Sequence, residues 1–142
     1  MKEVQAIRKI RDIEKLMHNN IRVESDKLGV NCTYRHIIFH LIRCDGQTQL
    51  ELSKKTLFSA PTISLTLQKM EQEGYIKRVQ DTVDGRQMRV YLTEEGRKLD
   101  EAVRKIVKNF EGIALKDFSS KEVDLLLSLL TRIEVNLGRE DQ

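Results

Sequence analysis

A mainly α-helical chain with one small β-hairpin is what this sequence predicts, and three observations predict it. Residues 75–92, YIKRVQDTVDGRQMRVYL, read as two short strands joined at Asp84-Gly85, a dipeptide suited to a tight turn that takes positive φ. Between residues 34 and 74 lies a run of short apolar-striped segments, opened by hydroxyl residues and closed by glycines or turns. At both ends the apolar residues recur every three or four positions over long stretches, the period of an amphipathic helix. Short helices followed by a basic hairpin make a winged helix-turn-helix. The two ends make a helical region beside it.

The elements follow in order. Val4, Ile7, Ile10, Ile13, Met17 and Ile21 form one stripe of a first helix over 4–23. Thr33 reads as the N-cap of a second helix, 34–44, with Tyr34, Ile38, Leu41 and Ile42 inward and Asp45-Gly46 ending it. Thr48 and Glu51 make a capping box for a short third helix, 49–57, with Leu50, Leu52 and Leu57 inward. Phe58-Ser59 turns the chain. Ser59 caps a fourth helix over about 60–73, and Pro61 suits its first turn because no backbone N–H is needed there. Ile63, Leu67 and Met70 form its stripe and Gly74 stops it. Ile76, Val79, Val90 and Leu92 supply the hairpin's apolar residues. Thr93 caps a fifth helix with Glu94 and Glu95 at its positive end and a stripe of Leu99, Val103, Ile106, Val107 and Phe110. Ser119 and Glu122 form a second capping box, opening a last helix with Val123, Leu126, Leu127, Leu130, Ile133 and Leu137 on one side. The chain therefore reads as a single domain, 1–142. Residues 34–92 form the winged lobe, and 1–30 with 94–138 form a helical dimerisation lobe, whose wide stripes suit packing on each other or across a two-fold axis onto a second copy.

Composition narrows the class. The chain has 142 residues, 33% of them charged, a net charge of +3, 5% aromatics and no Trp. Scarce aromatics argue against a stacking platform for single-stranded nucleic acid. The positive excess lies in the first 92 residues, a weak footprint for a polyanion. No apolar run approaches the roughly 20 residues that span a membrane, and the N-terminus lacks a signal-peptide core, so a cytoplasmic protein is expected. Two cysteines, Cys32 and Cys44, are too few for a disulfide framework or a four-cysteine metal site. No catalytic signature or phosphate-binding glycine loop is present; the chain reads as no enzyme, with no cofactor and no metal.

The chemistry points to double-stranded DNA. The fourth helix should expose Thr62, Ser64, Leu65, Thr66, Gln68 and Lys69, preceded by Ser59. Gln pairs bidentately with adenine, and Thr and Leu meet a thymine methyl; Lys69 suits a phosphate. Arg86 at the wing tip suits the minor groove, where narrow A·T tracts concentrate negative potential, and Asp84 suits orienting it. Lys77 and Arg89, with Lys54 and Lys55, suit phosphates. The plainer alternative is a set of solvated surface positions and a hairpin salt bridge.

The order of elements resembles the multiple-antibiotic-resistance regulator (MarR) family of winged-helix transcription factors. The match lies in Leu50-Glu51-Leu52-Ser53, Pro61-Thr62-Ile63-Ser64, Gly74-Tyr75-Ile76-Lys77-Arg78, Asp81, Asp84-Gly85-Arg86 and Val90-Tyr91-Leu92-Thr93-Glu94-Glu95-Gly96. The chain departs where it has Leu65, since family members often carry a basic residue there. The resemblance implies a homodimer held by the terminal helices, two winged lobes on a pseudo-palindrome, and a ligand-responsive regulator, most often a repressor. It also implies a small anionic aromatic effector between the lobes, for which His18, His36, His40 and Arg43 are the lining. A His pair at i, i+4, such as His36 and His40, also fits zinc, but no third ligand is evident; polar lining of a junction is the alternative. Cys32 near a helix N-terminus suits a reactive thiol, or an inert one. A different class of function, a winged-helix protein-interaction module without DNA binding, fits the low net charge.

Overall fold

The computed structural model describes residues 1–138. The elements are α1 (Lys2–Lys27), α2 (Cys32–Arg43), β1 (Gln47–Thr48), α3 (Gln49–Thr56), α4 (Ala60–Gln72), β2 (Ile76–Gln80), β3 (Met88–Leu92), α5 (Glu94–Ala114) and α6 (Ser120–Asn136). The chain divides into two compact units, Met1–Lys108 and a second from Asn109 onward.

In the first unit α2, α3 and α4 enclose one core with the sheet. Val30, Tyr34, Ile37, Ile38, Leu41, Leu52, Ile63, Leu67, Met70, Ile76, Val90 and Leu92 are buried together, and Leu99 and Val103 of α5 pack against them. Tyr34 hydrogen-bonds the Glu73 carboxylate at 3.1 Å, and its burial, with that carboxylate, pushes the phenol well above its ordinary pKa.

Several expectations are corrected. Asn31, not Thr33, caps α2: its Oδ1 accepts the Tyr34 N–H at 3.0 Å, and the helix begins at Cys32. Ile37 joins the stripe, whereas Ile42 is only partly buried. In α3 only Leu52, with Thr56 one turn on, faces the core. Leu50 is exposed, and Leu57 lies beyond the helix in a left-handed conformation, φ 61°, with 91% of its surface in solvent. A non-glycine residue there costs on the order of 1–2 kcal/mol, offset by the sharp turn it allows into α4. Val79 is exposed. Gly85 does not take the positive φ expected at the wing tip.

The sheet has three strands, not two, in antiparallel order β1-β3-β2. β1 pairs Gln47 with Val90 and Thr48 with Arg89. Gly46 makes this possible: at φ +76° its missing Cβ leaves room for the Tyr91 ring, which a Cβ would meet at 2.8 Å. Gln47 Nε2 donates to the carbonyls of His40 and Cys44 at 2.7 Å each, satisfying the end of α2. At the far end of α4 the Gly74 N–H donates to Glu71 and the Tyr75 N–H to Met70, with Gly74 at φ +84°, a Schellman closure.

The capping box at Thr48 is present in both directions, Glu51 N–H to Thr48 Oγ1 at 3.1 Å and Thr48 N–H to Glu51 Oε2 at 3.0 Å. Thr48→Ala is expected to lower stability by about 1 kcal/mol, read from the urea midpoint; an unchanged midpoint would mean that the box does not hold α3. Ser119 and Glu122 repeat the arrangement at α6. No residue of α6 is buried, and Leu125, Leu127 and Val135 are exposed; on α1 the same holds for Val4, Ile7 and Ile13.

Candidate nucleic-acid interface

α4 presents two chemically distinct faces. Ile63, Leu67 and Met70 are fully buried, which turns Thr62, Ser64, Leu65, Gln68 and Lys69 to solvent and leaves Thr66 half-buried. Leu65, at 68% exposure, is a large apolar side chain left in solvent. The Ser59 hydroxyl accepts the Thr62 N–H at 3.3 Å and donates to the Thr62 hydroxyl at 2.9 Å. Thr66 donates to the Thr62 carbonyl at 2.8 Å. These hydroxyls are thus held in place by the helix and keep lone pairs and methyl groups outward. From Ala60 to Lys69 the helix carries no carboxylate, so a polyanion meets no repulsion along it.

The wing tip is built by its own side chains. Asp81 accepts the Asp84 N–H at 3.3 Å, Asp84 accepts the Arg86 N–H at 3.1 Å, and Gln80 Nε2 donates to the Gly85 carbonyl at 2.9 Å. Arg86 Nε also donates to Asp84 Oδ1 at 3.2 Å, while the side chain stays 92% exposed. Asp84 therefore aims Arg86 outward without covering it, and such an exposed pair contributes little to stability. Arg86, Gln87 and Met88 line one side of a shallow cleft whose other side is Thr48, Gln49 and Leu50.

The remaining expected cations differ in how free they are. Lys54 and Lys69 are exposed and, among the described residues, without a side-chain partner. Lys77 Nζ lies 5.9 Å from the centre of the Tyr91 ring. Lys55 donates to Gln47 Oε1 at 2.8 Å. Arg89, expected to serve a phosphate, is engaged within the fold: Nε binds Asp81 Oδ1 at 3.0 Å and Nη1 binds the Gly46 carbonyl at 2.8 Å. Its hydrogen bond holds the Asp81 carboxyl below the ordinary carboxylate range. Sequence reasoning missed this role, because the partners lie up to 43 positions away. It also missed Arg78, whose guanidinium binds Glu71 at 3.0 Å and Gln49 at 3.3 Å.

The outer face of α2 is basic and aromatic. Arg43 lies 4.5 Å from the Phe39 ring centre, His40 packs edge-on to Phe39 at 5.2 Å, and His36 edge-on to Phe58 at 5.5 Å. Burial, then the charges of Lys55, His36 and Arg43, lower the His40 pKa. His18 lies on α1 and, among the described residues, shares no hydrogen bond, ion pair or ring contact with this group. No group of three or more His, Cys, Asp or Glu among the described residues is placed to hold a metal ion. Cys32 and Cys44 are free thiols, the first half-buried and the second exposed, and no described helix is long and apolar enough to cross a membrane.

Comparisons with known proteins agree with this architecture. The family described as transcriptional regulator SarA/Rot matches residues 13–103. MepR, a transcription regulator of the Staphylococcus aureus multidrug efflux pump MepA, is 25% identical and superimposes with a TM-score of 0.83, over 91% of this chain and 96% of that one. A mutant of S. aureus MepR bound to an oligodeoxyribonucleotide is 26% identical with a TM-score of 0.73, over 94% and 98%. A MarR transcriptional regulator from Methanosarcina mazei Go1 is 27% identical with a TM-score of 0.69, over 92% and 94%. The three-helix core, the three-stranded wing and the matched residues together establish that this chain belongs to the SarA/Rot family of winged-helix transcriptional regulators, of the MarR type, and is not an enzyme.

Proposed function

We propose that the protein reads double-stranded DNA sequence-specifically, as a cytoplasmic homodimer on a pseudo-palindromic operator, and acts as a ligand-responsive repressor. The observation that carries this reading is the exposed side of α4 from Ala60 to Lys69, which carries no carboxylate, beside a wing whose Arg86 is already aimed outward. α4 enters the major groove. Gln68 reads adenine, Leu65 and the Thr62 and Thr66 methyls meet thymine methyls, and Ser64 accepts or donates at either base. Arg86 enters the flanking minor groove. Lys54 and Lys69 neutralise phosphates, with Lys55 and Lys77 nearer the edge. The oligodeoxyribonucleotide bound by the MepR mutant supports the partner.

Homodimerisation is supported by the apolar side chains that α1 and α6 leave in solvent. Two copies would place their α4 helices about one DNA turn apart, roughly 34–36 Å. A small anionic aromatic effector fits the ring-lined face of His36, Phe39 and His40 beside the Arg43 charge, and a change in helix spacing on binding would release the operator.

The test is retention of duplexes from a random pool at two salt concentrations. An enriched inverted repeat with steep salt dependence is expected. No retention at low salt would replace this reading with a protein-docking module. Lys69→Ala should weaken all sequences alike, by about twofold to threefold, and reduce the salt slope by about one. Weakening confined to one sequence would instead make Lys69 a base contact.

A further inference from the structure

One guanidinium joins α4, the wing and α3. Arg78, in the middle of β2, holds the Glu71 carboxylate three times: backbone N–H to Oε2 at 3.0 Å, Nη2 to Oε1 at 3.0 Å and Nε to Oε1 at 3.3 Å. Its other terminal nitrogen, Nη1, reaches Oε1 of Gln49 in the first turn of α3 at 3.3 Å. The Arg78 side chain is only 22% exposed, which removes it from direct service to a phosphate. Glu71 sits in the last turn of α4, where a carboxylate faces the negative end of the helix dipole and is unfavourable unless paired. Beside a polyanion it would repel as well. Its place is explained by what it grips.

The grip has a geometric effect. β2 leaves α4 through the Glu73-Gly74-Tyr75 turn and runs on to the wing tip. A second tie, seven residues apart along the chain between Glu71 and Arg78, fixes the angle at which the hairpin departs. A helix in one groove and an arginine in the next bind together at full strength only if their separation is set before the encounter, because a loose pair must be ordered on binding.

We propose that Arg78 and Glu71 are positioning residues for DNA reading, a clamp that sets the distance between α4 and Arg86 so that both engage one duplex. This rests on the DNA-reading function above. Glu71→Gln is nearly isosteric and removes one negative charge. A carboxylate with no positioning role would, once neutralised, let DNA bind more tightly. The clamp predicts the opposite sign: about threefold to tenfold weaker binding of the selected operator, with affinity for unrelated duplex unchanged or raised. Arg86→Ala should then cost less in the Glu71→Gln background than in the wild type, since the wing is already out of register. Arg78→Lys keeps the charge but replaces the fork with a point donor, and should behave like Glu71→Gln. Thermal midpoints identify a variant that has lost its fold, in which case the other variant decides the cycle. Operator binding that is tighter or unchanged in Glu71→Gln, or strictly additive effects with Arg86→Ala, would overturn the clamp alone. A wild-type protein that retains no duplex would overturn the DNA-reading function and the clamp with it.

Discussion

Replacing Gly96 with alanine is expected to destabilise the winged unit by on the order of 3 kcal/mol or more, the upper end of overpacking effects. Gly96 is buried in the first turn of α5, and a Cβ there would stand 2.1 Å from the Tyr75 carbonyl oxygen and 3.0 Å from Leu92 Cδ2. The first obstacle is backbone, so no rotamer change relieves it. The same carbonyl accepts the Thr93 N–H at 3.1 Å, and Thr93 Oγ1 accepts the Gly96 N–H at 3.1 Å, so moving the strand out of the way breaks the cap of α5. Gly112, in the same helix, meets nothing within 4 Å. Gly112→Ala should therefore move the other way and stabilise by about 0.5–1 kcal/mol, from helix propensity alone. Chemical denaturation of both variants reads the contrast. A Gly96→Ala protein as stable as the wild type would show that α5 does not approach Tyr75 so closely.

Arg86→Ala should weaken operator binding by about tenfold to a hundredfold, the range of about 1–3 kcal/mol for a sequence-reading arginine. The fold should be unaffected, because the side chain is 92% exposed and, among the described residues, its side-chain hydrogen bond is to Asp84 alone. Asp84→Asn should cost less: the amide oxygen still accepts from the Arg86 N–H, but the charge that aims the guanidinium is gone. Direct binding measurements on the enriched repeat decide this. Equal affinity of wild type and Arg86→Ala would remove the wing tip from the reading surface.

What the sequence made legible were the features decided within a few residues. Both capping boxes, the Ser59 cap with Pro61, the stripe Ile63, Leu67, Met70 and the two hairpin strands follow from local spacing, and the structure has them. The exposed face of α4 follows in turn from its buried stripe. What escaped was decided at long range. β1 is two residues long and exists only because Gln47 and Thr48 find Val90 and Arg89; no periodicity announces it. Leu50 and Leu57 are apolar yet lie outside the core, because an eight-residue helix turns few positions inward. Asn31 competed with Thr33 for one cap, and only the path of the chain after Gly29 and Val30 chose between them. Arg78 and Arg89 look like any basic wing residues until their partners on α4, α3 and the turn after α2 are brought beside them.

The tie from Arg89 to the Gly46 carbonyl has a consequence for how the molecule opens. A projecting hairpin would ordinarily fray by itself and exchange its amide hydrogens quickly. Here β3 is bonded on one side to β1 and on the other to β2, and Arg89 pins it to the turn that closes α2. Val90 and Leu92 of the same strand lie in the core. The base of the wing therefore cannot detach without opening the helices as well. The amides of Lys77 and Tyr91, opposite each other at that base, should exchange with solvent as slowly as those of α2, in one cooperative step, and a protease should find no intermediate from which the wing alone has come away.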